Sequence, residues 1–434
     1  MRPRILFCSQ AAYRDGGVES WLDALAGALE RNGWDIRVAL AAGKFHDPSW
    51  YLEKHPLPGS VALDGTRGLR EGRFLKLLEV FEQTAPDIVF PVSLADALYA
   101  AAEWKRRGAK TRIVTCTHGQ DLGQIRDLER CAPHIDLATT VSSRVASVLE
   151  SLPGLAGRVS HIPTGVREPK STPRVRTALR SIAYVGRLHH AEKRAGDLIP
   201  LVQMLRGTGI VLHIAGSGPD EERIASDLAQ ELEHGSVLMH GAISQERLYE
   251  EIYPNVDALV VFSEKEGGPI VAWEAMVHGV VPVVSDFIGR KEEGVLRDGE
   301  TALVFPVGDV PAAAAALLRL SDPHLLRPLS ERVIAGIPED YRVVGFERNW
   351  CGALSGVLAK PAVRSDHRVG RAVSPGWIAR LNLNERASFV LRTILNRPFD
   401  YQEPGSEWPH SYSPDEPDSP VADHDTGHDT GHDK

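Results

Sequence analysis

Two carboxylates with seven residues between them, Glu266 and Glu274, bracket the stretch of this 434-residue sequence best equipped for chemistry. Gly267, Gly268, Pro269 and Ile270 lie between them. The run before them, Asp257-Ala258-Leu259-Val260-Val261-Phe262, has the length and apolar character of a buried strand. Two glycines then allow a tight backbone that a ligand can approach closely. Pro269 fits the first turn of a following helix, where its missing N–H costs nothing. The free N–H groups of that turn and the helix dipole favour an anion, so a phosphate fits the cradle. Glu266, in the loop, can accept hydrogen bonds from hydroxyls ahead of the phosphates. Glu274, more than a turn into the helix, can accept from hydroxyls behind them. A polyol–diphosphate–polyol ligand satisfies both, which describes a nucleotide sugar. For either Glu alone, an ordinary solvated acid is the competing reading.

Cations appear in a second stretch. Tyr184-Val185-Gly186 reads as a strand ending in glycine, and Arg187 and Lys193 follow within one loop. Arg187 is a fixed, forked donor and Lys193 a point charge, and both suit a diphosphate. Three other segments close strand-like runs: Gly16-Gly17, Thr117-His118-Gly119, and Gly216 in Ala215-Gly216-Ser217-Gly218. Taken alone, the glycines are plain turns and His118 a structural or surface histidine.

These segments need elements to hold them. Strand-like runs at 4–8, 35–40, 87–90, 113–117 and 137–141 alternate with helix-like runs at 21–29, 73–81 and 95–107. The alternation argues for a doubly wound parallel sheet. A polar, proline-bearing break at 166–177 reads as a linker. Strand-like runs resume at 181–185, 209–215, 236–239, 258–262 and 281–285. The expected organisation is an N-terminal domain over 1–168, a C-terminal domain over 178–340, a helix over 341–360 and an extension over 361–434. Two such α/β domains place a cleft between the carboxyl ends of their sheets, where ligands bind. Within the extension, 377–396 reads as one amphipathic helix with Ile378, Leu381, Phe389, Leu391 and Leu395 on its apolar face.

Glu266 to Met276, continued by Gly279 and Pro282-Val283-Val284-Ser285, resembles the motif of the retaining GT-B glycosyltransferases, especially glycosyltransferase family 4, the group 1 enzymes. The resemblance runs over most of residues 1 to about 355. It implies a GT-B fold: two Rossmann-like domains facing each other across a cleft, an N-terminal acceptor domain and a C-terminal donor domain. The helix over 341–360 then packs back toward the N-terminal domain, and 162–166 resembles the interdomain hinge.

By the same resemblance, Arg187 and Lys193 bind the donor phosphates and stabilise the leaving group. Lys193 comes one residue later than the commonest spacing, so Arg194 stands as its alternative. Gly16 and Gly17 fit the loop that closes over the donor phosphate. His118 matches a histidine that contacts donor sugar or acceptor, as a positioning residue or proton relay. Gly216 resembles a segment near the nucleoside. The implied reaction moves a hexose from a nucleotide-diphosphate sugar to a saccharide, glycolipid or other hydroxyl acceptor, with retention. No residue stands out as a nucleophile, so front-face displacement is expected, driven by positioning and charge stabilisation. No metal or other cofactor is expected: the one Asp-x-Asp, Asp423-His424-Asp425, lies in the C-terminal tail, unlike a metal-dependent GT-A enzyme. The alternatives are a GT-B nucleotide-sugar epimerase or phosphorylase-like enzyme, and a non-catalytic GT-B-like binding subunit.

Composition excludes other classes. Cys8, Cys116, Cys131 and Cys351 form no metal or disulfide pattern. Of the net charge of −9, −8 falls after residue 400, where nine acids meet only Lys434. The nearly neutral body gives no electrostatic case for nucleic acid. The tail, with its repeat of His424, His428 and His432, reads as acidic, low-complexity and disordered. No run approaches the ~20 apolar residues of a membrane span, and the first residues are too short an apolar run for a signal peptide. A cytoplasmic protein is expected. The basic patch Trp104-Lys105-Arg106-Arg107-Gly108-Ala109-Lys110 raises a peripheral contact with the inner membrane face through the N-terminal domain.

Overall fold

A computed structural model describes residues 2–10, 17–41, 48, 59–63, 70–92, 94–119, 122–369, 381 and 383–395. The described residues form two compact units. Unit 1 draws on Met1–Val141, Val145–Ile162 and the chain from Glu347 onward; unit 2 comprises Ser142–Arg144 and Pro163–Phe346.

Unit 1 is built on a seven-stranded sheet in the order β3-β2-β1-β4-β5-β6-β7. Its strands are β1 (Arg4–Gln10), β2 (Asp35–Ala41), β3 (Ser60–Leu63), β4 (Ile88–Val92), β5 (Arg112–Thr117), β6 (Leu137–Thr140) and β7 (Val159–His161). All pairings are parallel. Unit 2 holds six strands in the order β10-β9-β8-β11-β12-β13. These are β8 (Ser181–Val185), β9 (Val211–Ala215), β10 (Val237–Gly241), β11 (Ala258–Val261), β12 (Val281–Ser285) and β13 (Leu303–Phe305), again all parallel. Ile5, Leu6, Phe7 and Cys8 are all buried, as are Ala258, Leu259 and Val260. Such unbroken apolar runs belong to parallel strands covered on both faces. Both units are therefore Rossmann-like and doubly wound. Strand order reverses beside the first strand of each sheet, so in unit 2 the carboxyl ends of β8 and β11 flank a crevice.

Three strands have no counterpart in the sequence reading: β3, β7 and β13. Each has three or four residues and lies at a sheet edge. Edge strands are often very short, and even the apolar Leu303-Val304-Phe305 of β13 is too brief a run to mark a strand.

The supposed linker at 166–177 is also different from its composition. Val166 bridges to Arg342. A Cβ on Gly165 would lie 2.6 Å from Phe346 Cβ. Arg176, fully buried, donates to the carbonyls of Tyr253, Pro254 and His278 at 2.8, 2.9 and 3.1 Å. A polar segment is laid into unit 2 because its arginine ties off buried backbone acceptors that would otherwise be costly.

Beyond the helix Val343–Ala359 the chain straps unit 1. Arg112 donates to the carbonyls of Leu358 and Lys360, and the Val363 N–H donates to Asp136 at 2.7 Å. The described part of the amphipathic segment is a helix over Glu385–Ile394, capped by Asn384; residues 377–380, 382 and 396 lie outside the described residues. The expected apolar face is only partly buried, with Phe389 and Leu391 half-buried. Ser388 and Arg392 are buried, while Leu381, Val390, Ile394 and Leu395 are exposed. A buried ion pair, Arg392 to Glu71 at 2.7 Å, turns that face inward. The tail from residue 401, with Asp423, Asp425 and the histidine repeat, lies outside the described residues.

The basic patch at 104–110 is largely spent within unit 1. Lys105 is buried and bonds to Asp136 and the His134 carbonyl, and Arg106 and Arg107 both pair with Glu103. The electrostatic basis for a membrane contact there is weaker than composition implies. Among the described residues no helix is long and apolar enough to cross a membrane.

Candidate active site

Three loops of unit 2 meet at the carboxyl ends of β8, β9 and β10. The Gly186 N–H donates to Ala215 O at 3.0 Å, Leu188 N–H to Ser217 O at 2.9 Å, and Gly216 N–H to Gly241 O at 2.8 Å. Gly216 has φ +148°, and a Cβ there would sit 1.9 Å from Gly186 O. No side chain fits that approach, so Gly216 has a packing reason for its identity apart from any ligand. Arg187 is exposed on the first of these loops, and its carbonyl accepts from Tyr184 OH at 3.0 Å.

The loop then forms one short helical turn, His190–Lys193. Lys193 Nζ donates to Glu266 Oε1 at 2.7 Å, with side chains 33% and 11% exposed. Arg194, in a left-handed conformation at φ 50°, pairs instead with Asp197 at 2.8 Å. Lys193 thus stands beside Glu266, while Arg194 is paired within its own turn.

Glu266 is set by the loop after β11. Ser285 Oγ donates to Ser263 O at 2.5 Å and Ile288 N–H to Glu264 O at 2.9 Å, tying this loop to the end of β12. The helix begins one residue later than expected. It spans Ile270–Val277, with Pro269 as its N-cap at φ −75° and ψ 76°. The Ile270 N–H turns back to Gly268 O at 2.8 Å, a tight turn that holds Pro269 outside the helix. Gly267, Gly268, Pro269 and Ile270 therefore form the entry to that helix.

Glu274 faces inward and is only 2% exposed. Its Oε1 accepts from Gln245 Nε2 at 2.5 Å and its Oε2 from Tyr253 OH at 2.8 Å. Burial pushes its carboxyl above the usual range, opposed by these two donors and by Arg167. The Tyr253 ring is stacked on His278 with centroids 5.1 Å apart, and Tyr249 meets both rings edge-on. Sequence reasoning missed Gln245 and Tyr253. They lie 29 and 21 residues from Glu274, and no local spacing links them to it.

In unit 1, His118 follows β5. Trp21 meets it edge-on at 4.5 Å, and Trp21, Phe90 and Trp350 pack together with centroids 5.5 to 5.9 Å apart. Among the described residues, His118 Nε2 is buried without a hydrogen-bond partner. Burial pushes its imidazole down to about 4, so the ring is neutral at neutral pH. A neutral imidazole can offer one donor or one acceptor to a substrate hydroxyl. Gly17 opens the helix Gly17–Arg31, and Gly16 lies outside the described residues.

The family model for Glycosyl transferases group 1 matches residues 180–322, and that for Glycosyltransferase Family 4 matches residues 15–168. The chain belongs to this family of glycosyltransferases. The glycosyltransferase is 25% identical over 366 residues to Lipopolysaccharide 1,6-galactosyltransferase of Salmonella typhimurium, covering 82% of this chain and 100% of that protein. Among solved structures it is similar to the lipopolysaccharide outer core galactosyltransferase WaaB, apo form, with a TM-score of 0.65, 21% identity and coverage of 81% and 99%. It is similar also to Anabaena Alr3699/HepE in complex with UDP and glucose, with a TM-score of 0.65, 17% identity and coverage of 82% and 100%. The fold is GT-B, and the enzyme is a glycosyltransferase that uses nucleotide-sugar donors.

Proposed function

We propose that this glycosyltransferase moves a hexose from a UDP-hexose to a hydroxyl of a saccharide or glycolipid, with retention and without a metal ion. One observation carries the reading: Lys193 and Glu266 meet at 2.7 Å where the strand order of unit 2 reverses, with Glu274 buried on the helix that follows. UDP as carrier is supported by the similar HepE structures, which are complexes with UDP and glucose or with UDP-glucose.

In this reading unit 2 holds the donor. Lys193, Arg187 and the entry to the helix Ile270–Val277 face the diphosphate, Glu266 receives hydroxyls of the hexose, and Glu274 receives those of the ribose. The bond between the anomeric carbon and the phosphate oxygen breaks. The acceptor oxygen bonds to that carbon from the same face, and its proton passes to the departing phosphate oxygen. Lys193 and Arg187 stabilise the charge developing on the diphosphate, the role a divalent ion fills elsewhere. In unit 1, His118 offers its buried Nε2 to a substrate hydroxyl.

Calorimetric titration of UDP into the full chain, with EDTA present, tests the donor site. One UDP per chain is expected, bound about tenfold or more weakly by Glu274→Ala, the scale of losing hydrogen bonds to a charged group. Failure of UDP to bind sinks the reading.

A further inference from the structure

We propose that Gln245 and Tyr253 are positioning residues that set the Glu274 carboxylate as a ribose-selective acceptor. The inference rests on the donor-site reading above.

An ionised carboxylate has about four lone-pair positions, two on each oxygen. Gln245 takes one on Oε1 and Tyr253 one on Oε2. One position remains on each oxygen, the pattern that two neighbouring hydroxyls on a ribose match. Both donors are neutral, so they orient Glu274 without cancelling its charge. The Tyr253 phenol is fully buried and locked between His278, stacked at 5.1 Å and 29°, and Tyr249, edge-on at 5.8 Å and 82°. It cannot swing away from the carboxylate.

Gln245 reaches the same carboxylate from a different turn, opened by Ser244, whose side chain accepts from the Arg247 N–H. Between the two donors the backbone makes a π-helical turn over Leu248–Ile252. Such turns insert a residue into an ordinary helix and are frequent at functional sites. Here the turn lies between two residues that meet on one carboxylate. His278 anchors the arrangement from below, donating through Nδ1 to the Glu274 carbonyl at 2.7 Å.

A purely structural network and a positioning one differ in what they do to sugar selectivity. Loss of one ribose hydroxyl leaves a buried acceptor position unpaired, which a site built for that hydroxyl penalises. A site that has lost its orientation no longer tells the two sugars apart.

The experiment compares UDP and 2′-deoxy-UDP binding to the full chain by calorimetry, for wild type, Tyr253→Phe and Gln245→Ala. Wild type is expected to prefer UDP by about tenfold or more. In Tyr253→Phe, UDP binding should weaken about tenfold while 2′-deoxy-UDP changes little, so the preference collapses. Gln245→Ala, at a half-buried position, gives the same collapse in a chain with little reason to misfold. The pH profile moves as well. Taking a donor from the carboxylate raises its pKa, so the acid limb of UDP binding shifts to higher pH in both variants.

Equal weakening of both nucleotides, with the preference kept, would overturn the inference and leave the network structural. Unchanged UDP binding in both variants would overturn it too. A wild-type chain that binds neither nucleotide overturns the donor-site reading itself, and this inference with it.

Discussion

Lys193→Ala will lower glycosyl transfer by about two orders of magnitude, and Glu266→Ala by a similar factor, the scale of losing one charge-stabilising contact in a transition state. The two side chains meet at 2.7 Å and are both partly buried, so each sets the position of the other. Their effects should therefore not add: the double variant should lose less than the product of the single losses, as expected of groups that act as a unit. Arg194→Ala provides the contrast. Its guanidinium is bonded to Asp197, so its loss should lower stability while transfer stays within a few-fold. Steady-state rates for the four variants check this, and near-normal turnover in Lys193→Ala removes that residue from the mechanism.

A second large effect concerns the fold of the site. Gly216→Ala should destabilise the protein by roughly 3 kcal/mol or more, because strain at a disfavoured φ adds to direct overlap with backbone. The alanine Cβ would lie 1.9 Å from Gly186 O, and that oxygen cannot move without opening the bonds that join the loops after β8 and β9. Gly207 is the control. It also has a positive φ, of 76°, but nothing lies within 4 Å of its would-be Cβ. Gly207→Ala therefore pays only the left-handed cost, about 1 kcal/mol. Urea unfolding of both variants separates the two terms, and equal costs would show that the close approach carries no energy.

How much of this was legible in the sequence depends on how local the signal is. The central strands β1, β4, β8, β11 and β12 each carry a continuous apolar run, and such runs announce themselves. The edge strands β3, β7 and β13 carry three or four residues each and announce nothing. Within the site, Lys193 and Glu266 could be singled out because each follows a strand at a short spacing, and the structure brings them together. The choice between Lys193 and Arg194 could not be made locally. Spacing alone does not show that Asp197 pairs with Arg194 three residues on.

Pairing over long separations was invisible. Gln245 and Tyr253 reach Glu274 only through the packing of one helical segment on another. Arg176 looked like part of a polar linker because composition does not record that three backbone carbonyls await it. In the helix Glu385–Ile394 hydrophobicity alone does not mark the inner face: Arg392 is buried against Glu71, while Phe389 and Leu391 are half-buried. Periodicity ranks faces by apolar area and has no knowledge of a buried partner of opposite charge.

The most direct measurement is proton NMR of the product formed from UDP-glucose or UDP-galactose and a panel of oligosaccharide acceptors, with EDTA present throughout. Transfer under EDTA and an α-linked product from the α-linked donor are expected. A β-linked product, or transfer that EDTA abolishes, would contradict the proposed reaction.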